Sequence, residues 1–296
     1  MKANGQDADL QRFARLAAPM LQGVATCGVG SRASGNRAGA GLEFLDLRDY
    51  VAGDDIRRID WRQTSRRQSA VIRRFRDEAA SDWFLLIDRS GSVTWGKRKW
   101  PMTVQLASAL AYSLLFAGHR VSLLLFSDRI DGLVHLGRGA QHYAAILDLL
   151  SSPVAIDRIT AASRANSSNI AVCCPLLKRN SNAFVISDFL QVDGMATGLA
   201  AVAASVASVN ALQVLDENEV EIPRAAAAEL RDVETHGRRS LPVTDTTVAR
   251  AQQKLHTHGL ELRKHCASIG MPFTSCTTAE HWQEVLLDHL QGRALR

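Results

Sequence analysis

Three oxygen-bearing side chains stand at alternate positions in one short stretch, Asp88-Arg-Ser-Gly-Ser92. One carboxylate and two hydroxyls spaced this way on a tight loop can turn their oxygens to one point, and Gly91 lets the backbone curve closely. Hard cations such as Mg²⁺ or Mn²⁺ take oxygen ligands and few protein charges, with water filling the remaining positions. Two further residues offer the same chemistry. Asp188 directly follows the apolar run Ala183-Phe-Val-Ile-Ser187, and Ser168 supplies a third hydroxyl just before a helical stretch that starts at Ile170. The candidate metal ligands are therefore Asp88, Ser90, Ser92, Ser168 and Asp188. Asp and Ser are common in ordinary turns. What raises this set above a bland loop is its placement after an apolar strand and before a helix, with a second carboxylate ending another strand.

The elements that must hold these residues are legible from periodicity. Trp83–Ile87, Val121–Phe126, Ala183–Ser187, Asn210–Leu215 and Met271–Ser275 are apolar runs of strand length, as expected of strands buried on both faces of a parallel sheet. Between them, Pro101–Ala117, Gln141–Leu150, Ile170–Lys178, Met195–Ser208, Thr244–Ser268 and Ala279–Leu290 carry helical spacing, and Gly118 stops the first of these. Gly132–Leu136 pairs back on its predecessor. The alternation predicts an α/β fold, a doubly wound, mainly parallel sheet with helices on both faces. In such sheets ligands sit beyond the carboxyl ends of the strands, where strand order reverses. Asp88 and Asp188 both stand at such ends.

Upstream, residues 8–22 form a short amphipathic helix and Gly23–Gly41 a loop. Residues 43–78 form a charged segment with short strands, in which Gly53-Asp-Asp55 marks a turn. Trp61 and Tyr50 are expected to be buried and to tie this segment to the sheet domain, because burying large aromatics offsets ordering entropy. The expected division is 1–80 for helix, Gly-rich loop and charged segment, and 81–296 for the sheet domain, with a short-strand insertion near 216–244.

These motifs resemble two known patterns. Asp-x-Ser-x-Ser after a buried strand, a hydroxyl in a second loop and an Asp after a later strand look like the metal-ion-dependent adhesion site of von Willebrand factor A domains. Asp88–Ser92 matches the first loop in full. Ser168 stands where that family usually has Thr, and Asp188 in Ile-Ser-Asp-Phe matches the third loop. The resemblance implies a von Willebrand factor A-like fold, a metal held by these groups, and an acidic side chain of a partner completing its coordination. Further upstream, Gly41-Leu-Glu-Phe-Leu-Asp-Leu-Arg-Asp-Tyr50 and Gly53-Asp-Asp-Ile-Arg-Arg-Ile-Asp-Trp61 resemble the signature of a bacterial family, domain of unknown function 58. Its members often accompany MoxR-type AAA+ ATPases, and the resemblance spans about residues 38 to 290. It implies a partner or client of such an ATPase, in chaperone-like assembly of a larger complex.

Other chemistries lack their signatures. The sequence has no phosphate loop of the Gly-x-x-x-x-Gly-Lys type and no Gly-x-Ser-x-Gly elbow. Asp88-Arg-Ser lacks the second Asp that a haloacid-dehalogenase-type nucleophile has two positions on. A metal-dependent phosphoester hydrolase using Asp88 or Asp188 remains the alternative, and it lacks a visible base. A nucleic-acid adaptor acting through the arginines of 57–76 is weaker, since acids interleave with them. Lys97-Arg-Lys99 reads as a surface loop, and His256 and His258, which could be metal ligands, as exposed residues of a helix that His265 shares. Five cysteines, an odd number without zinc-ligand spacing, suit a reducing compartment. No stretch reaches the ~18 apolar residues of a spanning helix, and no signal peptide is evident. The expectation is a cytoplasmic, metal-dependent protein-interaction module and not an enzyme.

Overall fold

The computed structural model describes residues 3–26, 38–51, 56, 59–66, 69–76, 80–94, 98–152, 168–191, 194–222, 228–231, 238–241 and 244–292. Two compact units emerge, one of Met1–Val29 with Ser81–Arg296 and one of Gly30–Ala80.

The larger unit is built on six strands: β3 (Asp82–Asp88), β4 (Arg120–Phe126), β5 (Ile130–Gly137), β6 (Ser181–Ser187), β7 (Ser208–Leu215) and β10 (Phe273–Thr277). Their order across the sheet is β10-β7-β6-β3-β4-β5. Every neighbouring pair is parallel except β4 with β5, which forms an antiparallel edge. The chain leaves β3 toward β4 on one side and returns with β6 on the other. Strand order therefore reverses at β3, and the crevice beyond the carboxyl ends of β3 and β6 is the switch point where such sheets bind ligands. This is the doubly wound, mainly parallel α/β architecture that the sequence predicts.

Alternation along the strands feeds two cores. Trp83, Leu85, Ile87, Leu123, Leu125, Phe184, Ile186, Leu212 and Val214 face one side. There the 18-residue helix Lys99–Phe116 lies with the helices Ala140–Ser151 and Trp282–Leu290. Phe84, Leu86, Leu124, Phe126, Ala183, Val185 and Ala211 face the other, under the 3-10 helix Ile170–Leu176 and the helices Met195–Ser205 and Asp245–Ser268. Burial on both faces is why these strands are apolar throughout and do not alternate with polar residues. Lys99–Phe116 ends at Gly118, whose φ of +84° takes the left-handed conformation that glycine adopts without strain.

The N-terminal helix, Ala3–Thr26, is longer than residues 8–22 and belongs with the sheet. Its Phe13, Ala17 and Leu21 are buried in the first core, and Phe13 meets Trp282 edge-on at 5.2 Å. Grouping it with the charged segment as residues 1–80 is therefore corrected. Its apolar face is satisfied by tertiary packing that sequence adjacency does not reveal.

In the smaller unit, β1 (Ala38–Asp49) pairs antiparallel with β2 (Val71–Arg76). The Asp60 carboxylate accepts from the amides of Arg62 and Gln63 and caps the one-turn helix Trp61–Thr64. Trp61 is 69% exposed, so the expectation of burial fails there, while Tyr50 is mostly buried as expected. Here a helix cap and strand pairing supply the local order that aromatic burial was expected to provide. Gly53-Asp-Asp55 and the side chains of Arg57, Arg58, Arg67, Arg73, Arg74 and Arg76 lie outside the described residues. In the 216–244 region, a one-turn helix, Glu217–Val220, precedes a small antiparallel pair, β8 (Ala228–Arg231) with β9 (Arg238–Leu241).

Candidate metal centre

Asp88 is the last residue of β3 and has no exposed surface. Its Oδ1 accepts the Ser90 amide at 2.8 Å, the local bond expected when an Asp ends a strand and the chain turns at once. Its Oδ2 accepts two hydroxyls, Ser168 Oγ at 2.7 Å and Ser187 Oγ at 2.5 Å. Ser90 Oγ lies 3.2 Å from Ser92 Oγ, so the first loop brings its hydroxyls side by side. Burial, and then the neighbouring charge of Asp188, raise the Asp88 pKa to about 6, while the bonds from Ser187, Ser90 and Ser168 pull it down.

Asp188 begins the loop after β6 and is 2% exposed. Hydrogen bonds hold both its backbone and its side chain. Gln213 on β7 donates Nε2 to the Asp188 carbonyl at 2.8 Å, and the Leu190 amide reaches Asp188 Oδ1 at 3.3 Å. Phe189 takes a φ of +50°, uncommon for a residue with a side chain, and is fixed by its amide on Ser187 Oγ and by its buried ring. His258 Nε2 lies 2.6 Å from the Phe189 carbonyl oxygen. The reading of His258 as an exposed helix residue is thus corrected: it is part-buried and braces this loop.

Asp188 Oδ2 is engaged by Lys99 Nζ at 3.0 Å, and the same ammonium reaches Glu219 Oε1 at 2.7 Å. Lys99 is 3% exposed. The reading of Lys97-Arg-Lys99 as a surface loop fails at Lys99, because that residue opens a buried helix. A buried ammonium requires paired acids. Burial alone would lower the Lys99 pKa, but the charges of Asp188 and Glu219 outweigh it and raise the value.

The Ser168 loop is located by two contacts. The Asn169 amide donates to the Ser127 carbonyl at the end of β4, and the Asn169 side chain caps the 3-10 helix by accepting from Ala171. That helix lies close on Met195–Ser205 because Gly198 leaves room: a Cβ there would stand 2.6 Å from Ile170 Cγ2. The five sequence-predicted residues are therefore linked around the carboxyl ends of β3 and β6. Direct hydrogen bonds link Asp88 to Ser90 and Ser168, Ser92 joins through Ser90, and Asp188 acts through its charge.

The family model described as "Protein of unknown function DUF58" matches residues 46–260, which include all five of these residues and Lys99. The chain belongs to this family. Similar proteins include uncharacterized proteins of Mycobacterium bovis and Mycobacterium tuberculosis H37Rv. Each is 26% identical over 251 residues, covering 82% of this chain and 77% of the relative. Among solved structures, the conserved hypothetical protein BatB of Bacteroides thetaiotaomicron aligns with a TM-score of 0.40 and 14% identity, over 73% of this chain and 100% of that one.

Sequence reasoning about this DUF58 chain missed Ser187, Lys99, Glu219 and His258. Ser187 carried a signal, since it sits beside Asp188 at the strand end and parallel pairing of Ile87 with Ile186 sets it next to Asp88. Lys99 and Glu219 lie 120 residues apart and carried none. Among the described residues, no three His, Cys, Asp or Glu side chains gather as a metal-binding group. The centre combines two carboxylates with hydroxyls. That is a donor set of hard oxygens with few charges, which suits Mg²⁺ or Mn²⁺ and does not suit softer metals.

Proposed function

We propose that this chain is a metal-dependent protein-interaction module. Asp88, Ser90, Ser92, Ser168 and Asp188 would hold Mg²⁺ or Mn²⁺, directly or through water. The ion would supply a positive charge able to bind a carboxylate of a partner protein. The observation that carries this reading is the fully buried Asp88 carboxylate, set at the strand-order reversal with three donors turned to it and a second carboxylate close by. Like charges buried together are costly unless cations join them; Lys99 meets Asp188 but has no bond to Asp88 among the described residues, and the residues around Asp88 fit a hard ion.

Binding, and not turnover, is favoured by how Asp88 is engaged. Its Oδ2 accepts two hydroxyls and its Oδ1 one amide, which holds the carboxylate in place and leaves a lone pair of Oδ1 for an ion or a water of its shell. By resemblance to families that accompany MoxR-type AAA+ ATPases, we take such an ATPase as the partner, or the enzyme whose client this chain is. We place the protein in the cytoplasm. Among the described residues no helix is long and apolar enough to cross a membrane, which agrees with that placement. Calorimetric titration with MnCl₂ tests the reading: wild type should bind and Asp88→Ala should not. Equal binding by both would remove Asp88 from any metal site.

A further inference from the structure

We propose that Lys99 is a built-in competitor of the metal ion, an ammonium that covers Asp188 Oδ2, with Glu219 as the acceptor that keeps the lysine when an ion takes its place. The proposal rests on the metal reading above and names the residue that sets the centre's affinity.

The geometry gives Lys99 two acids of different standing. Asp188 belongs to the centre. Glu219 does not: it sits on the one-turn helix after β7, and its other oxygen accepts the Asp216 amide at 2.8 Å in a capping box. Glu219 is thus fixed in place without help from Lys99. The neighbouring pair repeats the link, with Arg98 Nη1 on Glu217 Oε2 at 3.1 Å. Adjacent residues at the start of the long helix are therefore both tethered to Glu217–Val220.

An ammonium and a hard divalent ion compete for the same carboxylate lone pairs. Asp188 Oδ1 already accepts the Leu190 amide, so Oδ2 is the oxygen that Lys99 covers. A lysine with one partner would resist release, because a buried, unpaired charge is costly. Lys99 keeps Glu219 Oε1 at 2.7 Å, so it can let Asp188 go and remain paired. Its flexible stem and three donors allow that shift. Charge balance points the same way. With Lys99 set against Asp188 and Glu219, these four groups carry a formal charge of minus two when the three acids Asp88, Asp188 and Glu219 are ionised. A divalent ion balances that charge while the lysine stays.

This arrangement makes opposite predictions for the two ends of the lysine bridge. Lys99→Met removes the competitor, and Mn²⁺ affinity of the full chain should rise about tenfold or more. Glu219→Gln removes the charge of the alternative partner, leaving Asp188 as the carboxylate that pairs with Lys99, and affinity should fall by about tenfold. A lysine serving only as a structural staple would weaken binding when either end is changed. Calorimetry with MnCl₂ reads these shifts. Melting with and without MnCl₂ checks folding, and Mn²⁺ should raise the melting temperature of Lys99→Met more than that of wild type. If Lys99→Met does not fold, Lys99→Gln and the Glu219→Gln titration decide. Unchanged or weaker binding by the Lys99 variants, with wild-type binding still lost in Asp88→Ala, overturns this inference and leaves the metal centre standing. No Mn²⁺ binding by wild type or by any Lys99 variant overturns both.

Discussion

The hydroxyl of Ser187 lies 2.5 Å from Oδ2 of Asp88, across the two strands where the order of the sheet reverses. The same Ser187 oxygen accepts the amide of Phe189, so one side chain joins the first acid of the centre to the backbone of the loop that carries the second.

Ser187→Ala should therefore act on both stability and metal. Losing a hydrogen bond to a carboxylate and orphaning a buried amide should cost about 1–3 kcal/mol. It also removes a donor that favours the ionised form of Asp88 and orients it, so Mn²⁺ affinity should fall about 10–100-fold. Urea unfolding and calorimetric titration check the two effects. A variant that loses neither would show the Ser187–Asp88 contact to be incidental.

Gly198 permits the close approach that locates the Ser168 loop. Gly198→Val places methyl groups against Ile170, and overpacking of this kind costs about 1–3 kcal/mol. Adding Ile170→Ala should recover part of that loss, since it frees the space the valine needs. Denaturant midpoints of the single and double variants form the measurement, and purely additive losses would refute the packing account.

Buried His289 gives a pH dependence of known sign. Its Nε2 faces Asn210 Oδ1 at 3.2 Å, its Nδ1 lies 2.7 Å from Thr274 Oγ1, and burial lowers its pKa to about 4. In the unfolded chain the value is about 6.5. Between these values the unfolded state binds the extra proton, so stability is full above the upper value and falls as pH drops toward the lower. The loss attributable to His289 between about pH 7.5 and pH 5 is roughly 2 kcal/mol. His119, lowered by burial and by Arg138, acts in the same direction. Asp88, raised to about 6, acts in the opposite one, because its folded form binds a proton more readily than its unfolded form. The difference between wild type and His289→Gln isolates the histidine: the variant should lose less stability over this range. Parallel pH profiles would contradict the assignment.

Experiments in solution can tell binding from catalysis. Purified protein with Mg²⁺ or Mn²⁺ should not turn over model phosphoesters or ATP. Capture of a MoxR-type ATPase should weaken with EDTA and with Asp188→Ala. Robust hydrolysis that disappears in Asp88→Ala would replace the module with an enzyme. Capture indifferent to EDTA would move the contact to the arginine-rich segment 57–76.

Much of this was legible in the chain itself. Apolar strand runs, helical spacing and Gly118 determined the alternation of elements, because a parallel sheet buried on both faces needs continuous apolar strands. The handedness of its crossovers then leaves few topologies. Asp88, Ser90 and Ser92 were legible as a group because they are local, and Asp188 because it ends a strand. Chain proximity does not record long-range pairing. The fate of the Ala3–Thr26 helix, the exposure of Trp61, the burial of Lys99 between Asp188 and Glu219, and the brace from His258 to Phe189 were decided only when distant segments met. A lysine in a basic run looks solvated by default. It becomes a buried counter-cation only because the fold sets two acids around it, one 89 and the other 120 residues away, and excludes the water that would otherwise solvate the charge.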